Sequence, residues 1–366
     1  MPDFSIEDRQ AICKTFERLL ADKCDETRLR EVIETESGFD KALWAQMAEL
    51  GLTGLMIAPE QGGIGGFIEE AEAALEVAGA YLYNGPYIST CVMAPMLLST
   101  CTDETLAAPH LQSIAEGKSI FAIAGCAPSG DWTAELNVTA NAKNELSGEA
   151  GFVVHARNAD HCLVYANIGE DVAVYLVKMA DEGVTLTPHK TDDLTLRLSS
   201  MIFKNALAQK LEGVGAKHIQ TALQIALVAQ AGEHVGATRR IFNLTIEYLN
   251  TRFQFGQPIG RFQALKHMAA DLLIEVENAS SAARHAARAV AAQAPTSNVL
   301  TYLAAFTCAD NFRTVAAEAI QLHGGIAYTM EHPAHLYWRR AQTGQWLFGS
   351  SDRFRDLYLS QMEKTL

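Results

Sequence analysis

The apolar residues change their period twice along this chain, and that change restricts the fold more than any single motif. From Ser5 to about Lys118 they recur at helical spacing. In "SIEDRQAICKTFERLL" the residues Ile6, Ile12, Phe16 and Leu19 share one face, with Ser5 as N-cap and acidic residues in the first turn. "GFDKALWAQMAELGL" repeats the design and stops at Gly51. Between roughly Ser119 and Leu211 the period falls to two. "SIFAIAGCA", "ELNVTANAK", "ELSGEAGFVVHA", "HCLVYANI", "VAVYLVKM", "VTLTPHK" and "SSMIFKNAL" read as seven short strands with no helix between them. From about Gly215 the helical period returns and the segments lengthen. "KHIQTALQIALVAQAGEHVGATRRIFNLTIEYLNTR" has no proline and would extend about 50 Å at ~1.5 Å per residue. Three further segments follow, roughly 262–293, 296–322 and 332–364, the last broken near Gly349.

This order predicts an α+β multidomain chain. An N-terminal all-α domain (1–118) precedes a small antiparallel β-barrel or sandwich (119–212), and a C-terminal four-helix bundle (213–366) follows. The stretch "APEQGGIGGF" is read as a loop. Its glycines Gly62, Gly63, Gly65 and Gly66 follow no strand and belong to no βαβ unit, so a dinucleotide fingerprint is not indicated.

Composition removes several function classes. A net charge of -14 repels phosphate backbones and anionic membrane surfaces, which argues against nucleic acid as a partner. No apolar run approaches the ~18 residues of a membrane span, and the N-terminus carries no secretory h-region. Seven scattered cysteines without a CxxC pair suggest neither a disulfide framework nor a zinc site, and a reducing cytoplasm fits them. His332 and His335 in "EHPAH" flank a proline with no ligand cluster around them, so no metal is expected. The serines of "GSSD" lack the GxSxG elbow of a hydrolase.

Three stretches, "LWAQMAELGLTGLMIAPEQGGIGG", "TRFQFGQPIGRFQALKHMAADLL" and "AIQLHGGIAYTMEHPAHLYWRRA", together resemble the acyl-CoA dehydrogenase family of flavoproteins over nearly the whole chain. The resemblance implies tightly bound FAD, an acyl-CoA substrate oxidised to its trans-2-enoyl thioester, and a dimer or a dimer of dimers. It implies further that Arg252, Phe255 and Gln263 contact the pyrophosphate and adenine half of a neighbouring subunit's FAD. Gln321, Gly324 and Gly325 of "QLHGG" would approach the same cofactor, where glycine admits backbone closely. Taken alone, Arg252 beside a Gly256–Pro258 turn reads as a solvated helix-end arginine; it is the company of "RFQFGQPIGRFQ" and "QLHGG" that favours a guanidinium binding pyrophosphate bidentately.

The chain departs from the family where the chemistry needs a base. α,β-Dehydrogenation removes an α-proton as a hydride leaves the β-carbon, so a carboxylate must stand over the α-carbon. The matching position in "WLFGSSDRFRDLY" is Phe348, and a second family location is matched by Ala226. A backbone N–H at Phe348 can still polarise a thioester carbonyl. Seven residues beyond Ala226, on the same helical face, stands Glu233, a candidate base among small apolar neighbours. It can equally be a structural carboxylate paired with His234, Arg239 or another helix. The flavin cradle departs as well: "CAPSGDW" and "FVV" stand where hydroxyl-bearing motifs are usual. Residues reaching towards a neighbour's FAD are kept while those cradling the chain's own are lost. That pattern resembles the heteromeric (α2β2) branch associated with bacterial steroid degradation, and it implies a second, glutamate-bearing acyl-CoA dehydrogenase subunit acting on a bulky CoA thioester. Two alternatives stay open: a self-sufficient homo-oligomer using Glu233, and a non-catalytic partner completing another chain's FAD site. Either oxygen or an electron-transfer flavoprotein would reoxidise the flavin.

Overall fold

The computed structural model describes residues 4–130, 132 and 136–363; Asp131 of "CAPSGDW", Glu135 of the second strand segment and Lys364 of the last helical segment lie outside them. The helical first part comprises α1 (Ile6–Lys23), α2 (Glu26–Glu34), α3 (Lys41–Glu49), α4 (Ile68–Ala80), α5 (Ala94–Leu98) and α6 (Glu104–Ala115). Helix α1 begins where the sequence places it, because Ser5 Oγ accepts from the Asp8 N–H at 3.1 Å while Asp8 Oδ2 accepts from the Ser5 N–H at 3.1 Å. The two bonds satisfy reciprocal orphan donors of the first turn. After α3 the chain turns at Gly51, whose φ of 75° lies in the left-handed region.

The middle part contains β1 (Phe121–Ala124), β2 (Val138–Ala140), β3 (Glu145–Val154), β4 (His161–Ile168), β5 (Asp171–Lys178), β6 (Val184–Pro188) and β7 (Leu198–Gly215). Strand β4 pairs with β5, β5 with β7, β7 with β3, β3 with β2, and β2 with β4 again, so the sheet closes on itself. Most of these pairs are antiparallel. The exceptions are β1, which runs parallel to β4 from Phe121↔His161 to Ala124↔Val164, and the short β2–β4 contact. Both reflect connections that cross from one side of the sheet to the other instead of turning back as hairpins. Inside, Val164, Tyr175, Met201 and Phe203 alternate with outward residues to form the barrel core.

The last part is built from α7 (Ala216–Thr251), a two-residue hairpin of β8 (Phe253–Gln254) and β9 (Gln257–Pro258), α8 (Gln263–Ala291), α9 (Ser297–His323), α10 (Ala334–Gly344) and α11 (Ser351–Glu363). The break between α10 and α11 falls at Gly349, whose φ of 136° suits glycine and where a Cβ would stand 2.8 Å from the Phe354 ring. Helix α7 spans the molecule and packs on α4 through glycine. A Cβ at Gly79 would lie 1.9 Å from the Glu233 carbonyl oxygen, and one at Gly236 would lie 1.7 Å from that of Glu76. The two helices therefore touch backbone to backbone, with Glu72 and Glu233 emerging from the contact. Among the described residues no helix is long and apolar enough to cross a membrane.

Candidate functional site

The barrel, the first helical part and the C-terminal bundle meet at Phe348. Its side chain is 4% exposed, and its ring centroid lies 5.3 Å from that of Trp132. Trp132 Nε1 donates to the Leu347 carbonyl at 2.8 Å, tying the strand-side loop to the break between α10 and α11. Because that carbonyl and the Phe348 N–H belong to one trans peptide, the N–H points away from the indole.

Two cavities share Leu347 and Phe348. The outer cleft, about 1040 Å³, lies between barrel and bundle and is lined by Phe152, Lys190, Trp338, Trp346 and Arg353. The inner cavity, bounded by Tyr87, Trp132, Glu233, Arg340 and Phe348, has only about 30 Å³. It holds a water or two and no acyl chain. Phe152 sits at a register shift between β3 and β7 with φ 50°, and its ring stacks on His189 at 5.0 Å. The lining of the outer cleft is thus rich in aromatic rings and carries both signs of charge, with Asp192 and Asp193 beside Lys190, Arg339 and Arg353. Val154, where the family's threonine would be, lines the inner cavity.

Glu233 does line the same cavity as Phe348, as a candidate base must, but it is not free. Arg340 Nη1 donates to Glu233 Oε1 at 2.8 Å. The other two nitrogens of that guanidinium are engaged as well: Nε donates to Thr195 Oγ1 at 2.8 Å, and Nη2 to the carbonyls of Tyr83 at 3.1 Å and Thr195 at 3.2 Å. Asp193 Oδ2 lies 3.8 Å from Nε. Arg340 is 2% exposed and joins α4's exit, the loop before β7, α7 and α10 around one charge. Burial pushes the Glu233 carboxyl above the usual carboxylate range; Arg340 pulls against that shift and Asp193 adds to it. Of the partners the sequence offers, the one on another helix is the one observed. Arg239 instead pairs with Glu277 at 3.0 Å and Glu76 at 3.7 Å, and His234 packs on Phe312. Neither Arg340, Asp193 and Thr195 nor the Trp132 contact is legible in the sequence, since the pair Glu233–Arg340 is separated by 107 residues.

The residues expected to reach a neighbour's FAD lie elsewhere, at the far end of the bundle. Arg252 caps α7, its N–H donating to Tyr248 O at 2.8 Å, and the Tyr248 ring lies 4.6 Å from that of His323 in the last turn of α9. That contact brings Arg252 and Phe255 to the same end as Gln321, Gly324 and Gly325; Gln263 opens α8 beside the hairpin. All six are partly or fully exposed, Phe255 to 91%. Gly324 has φ 65°, which suits glycine, whereas a Cβ on either Gly324 or Gly325 would meet nothing within 4 Å. Among the described residues nothing fills the space over those glycines, and Arg252 makes no ion pair. An open backbone cradle beside an unpaired guanidinium and a bare aromatic ring fits the planar, pyrophosphate-bearing FAD.

An α–β–α chain with a junction cleft and an open arginine–glycine cradle at the opposite end defines a flavoprotein class, and the comparisons narrow it. Residues 6–118 match the acyl-CoA dehydrogenase N-terminal domain and residues 213–362 the acyl-CoA dehydrogenase C-terminal domain. The acyl-CoA dehydrogenase IpdE2 of Mycolicibacterium smegmatis is 31% identical over 94% of this chain and 95% of its own. The chain belongs to the acyl-CoA dehydrogenase family, whose enzymes are FAD-dependent oxidoreductases. Among solved structures, the ChsE4-ChsE5 complex from Mycobacterium tuberculosis superposes with a TM-score of 0.91 at 24% identity, covering 100% of both chains. The Tcur3481-Tcur3483 steroid acyl-CoA dehydrogenase does so with 0.89 at 23% identity, covering 98% of both.

Proposed function

We propose that this chain is the base-lacking subunit of a heteromeric acyl-CoA dehydrogenase, and that a second, glutamate-bearing subunit removes the α-proton. The observation that carries this reading is the inner cavity: Phe348 stands where the base belongs, and about 30 Å³ remains in front of Glu233. The reaction, on this reading, takes place in the partner. FAD supplies the hydride acceptor. This chain's share is to bind and orient the cofactor, with Arg252 forking on its pyrophosphate, Phe255 covering its adenine half, and Gln321, Gly324 and Gly325 lying against it as backbone and amide contacts. Gln263 would reach the same group. The likeness to two-chain structures, one of them a steroid enzyme, supports a bulky, sterol-derived CoA thioester as substrate. An electron-transfer flavoprotein is the proposed electron acceptor. The cysteines Cys13, Cys24, Cys91, Cys101, Cys126, Cys162 and Cys308 form no disulfide, which supports a cytoplasmic setting.

Expressed alone, the chain should be colourless or hold little FAD; co-expressed with its glutamate-bearing partner, it should yield a yellow complex that oxidises the thioester. A second reading, a homo-oligomer with Glu233 as base, is favoured by one observation, the raised proton affinity of a carboxyl that lines the cavity. A yellow, active homomer silenced by Glu233→Gln would establish it and overturn the first.

A further inference from the structure

On the other side of the α4–α7 contact from the cavity, a groove of about 700 Å³ runs between α1, α4, α7 and α8. Its floor is Glu72, 4% exposed, whose Oε1 has no hydrogen-bond partner. The glycine contact explains why no side chain of α7 covers it: a Cβ at Gly232 would already lie 3.1 Å from Glu72 Cγ and 2.4 Å from its carbonyl oxygen. The cations nearest to Glu72 are taken. Arg9 pairs with Glu69 at 3.0 Å and Glu70 at 2.9 Å, and Arg284 with Glu76 at 3.3 Å.

Burial and Glu76 push the Glu72 carboxyl up to about 8, opposed by Arg284 and Arg9, with Glu69 adding to the rise. Around the rim, Lys14, Arg240 and Arg288 make no ion pair among the described residues. Ala73, Val77, Ala80 and Ala287 form the apolar walls between floor and rim.

We infer that this groove binds an alkylammonium carried on an anionic head, with the ammonium seated at Glu72 and the anion at Lys14, Arg240 and Arg288. An ammonium brings the N–H donor that the unpartnered Glu72 Oε1 lacks. Its methylene stem lies along the alanine and valine walls, as a lysine stem does on apolar surface. A carboxylate or phosphate at the far end meets the unpaired rim cations. A buried polar atom without a partner is otherwise costly, and an ammonium removes that cost and ionises the acid at once. The inference is independent of the proposed function, since no residue of the groove touches the cavity or the cofactor cradle.

The test uses the full chain and 6-aminohexanoate as probe, with hexanoate and hexylamine as controls, by titration calorimetry at pH 7 in two buffers of different ionisation enthalpy. The ω-amino acid should bind at least tenfold tighter than either control and release a proton from Glu72. Glu72→Gln should reduce its affinity to that of hexanoate and abolish the proton release; Arg288→Ala should weaken the ω-amino acid and hexanoate alike. Equal binding of hexanoate and 6-aminohexanoate, or no binding of either, overturns the inference; the second result would leave Glu72 to a water. Because Glu72→Gln removes a buried orphan acid, it should fold at least as well as the parent, so a loss of binding reports the site and not the fold.

Discussion

The inner cavity and the open end of the bundle hold the two sets of residues to which the family resemblance gives roles, the candidate base and the candidate FAD contacts, and their surroundings are opposite. At the cavity the charged groups are held internally: Arg340 donates to Glu233, Thr195 and the Tyr83 carbonyl, and Phe348 and Trp132 pack beside them. At the bundle end Arg252 and Phe255 are exposed, the Arg252 side chain makes no ion pair among the described residues, and the space over Gly324 and Gly325 is open. The first region is part of the protein's core, while the second is open and, on the proposed function, is half of a site that another subunit completes. Substitutions at the cavity should therefore register in folding, and substitutions at the bundle end in assembly and cofactor content.

The largest effect is expected at Arg340. Arg340→Met leaves Glu233 and Asp193 facing each other in a site where both are largely buried, and removing one partner of such a pair costs on the order of 3–5 kcal/mol. Urea unfolding of the parent and the variant measures it directly. A loss under about 1 kcal/mol would mean that the lock is weak, and Glu233 would regain its standing as a base. Next comes Phe348→Ala, which deletes a ring packed on Trp132 and should cost about 3 kcal/mol by leaving a void. If the void instead collapses at little cost, the cavity is more plastic than the comparison holds.

pH separates the regions by a third route. His155 and His234 are buried near Arg340, and burial together with that cation holds each imidazole down to about 3. Unfolded histidine takes its proton near 6.5. Below about pH 6.5 the unfolded chain therefore binds protons that the folded chain refuses, and stability falls with pH until about 3. The slope approaches ~1.4 kcal/mol per pH unit for each histidine. The His234→Gln variant should lose less stability than the parent between pH 7 and pH 4.5, read from urea midpoints. Parallel losses in the two proteins would show that His234 is not the buried neutral base described.

What the sequence made legible, and what it hid, follows the same division. The capping pair at Ser5, the break at Gly349 and the exposed cradle of Gly324 and Gly325 are local, set by a few neighbouring residues and by glycine's backbone freedom. That Phe348, and no carboxylate, stands in "WLFGSSDRFRDLY" was legible as well, because it is read directly from the residues; that it lines the inner cavity was not. The Arg340 network was not, since it joins Tyr83, Thr195, Glu233 and Arg340 from four segments, and no local pattern marks a long-range pair. The parallel β1–β4 pairing was hidden for a related reason: a period of two identifies a strand but not the direction of its neighbour. Nor does any sequence signal give a cavity volume, and the volume is what sets Glu233 apart from a substrate-facing base.

The smallest expected change in stability makes the most direct test of the half-site. Arg252 is exposed and makes no ion pair, and the Cβ of an alanine at Gly325 would meet nothing within 4 Å. Arg252→Ala and Gly325→Ala should each leave the unfolding free energy of the isolated chain within about 0.5 kcal/mol of the parent. In the complex with the glutamate-bearing subunit, both should lower the FAD-to-protein ratio. The arginine should matter more, since it loses a bidentate charge contact and the glycine gains only a methyl group against the cofactor. Their ratio distinguishes a cradle from a surface. If Arg252→Ala leaves cofactor content untouched while Gly325→Ala reduces it, the bundle end binds by shape alone. If neither changes it, the outward-facing residues serve no FAD, and the division between a closed cavity and an open half-site loses its functional meaning.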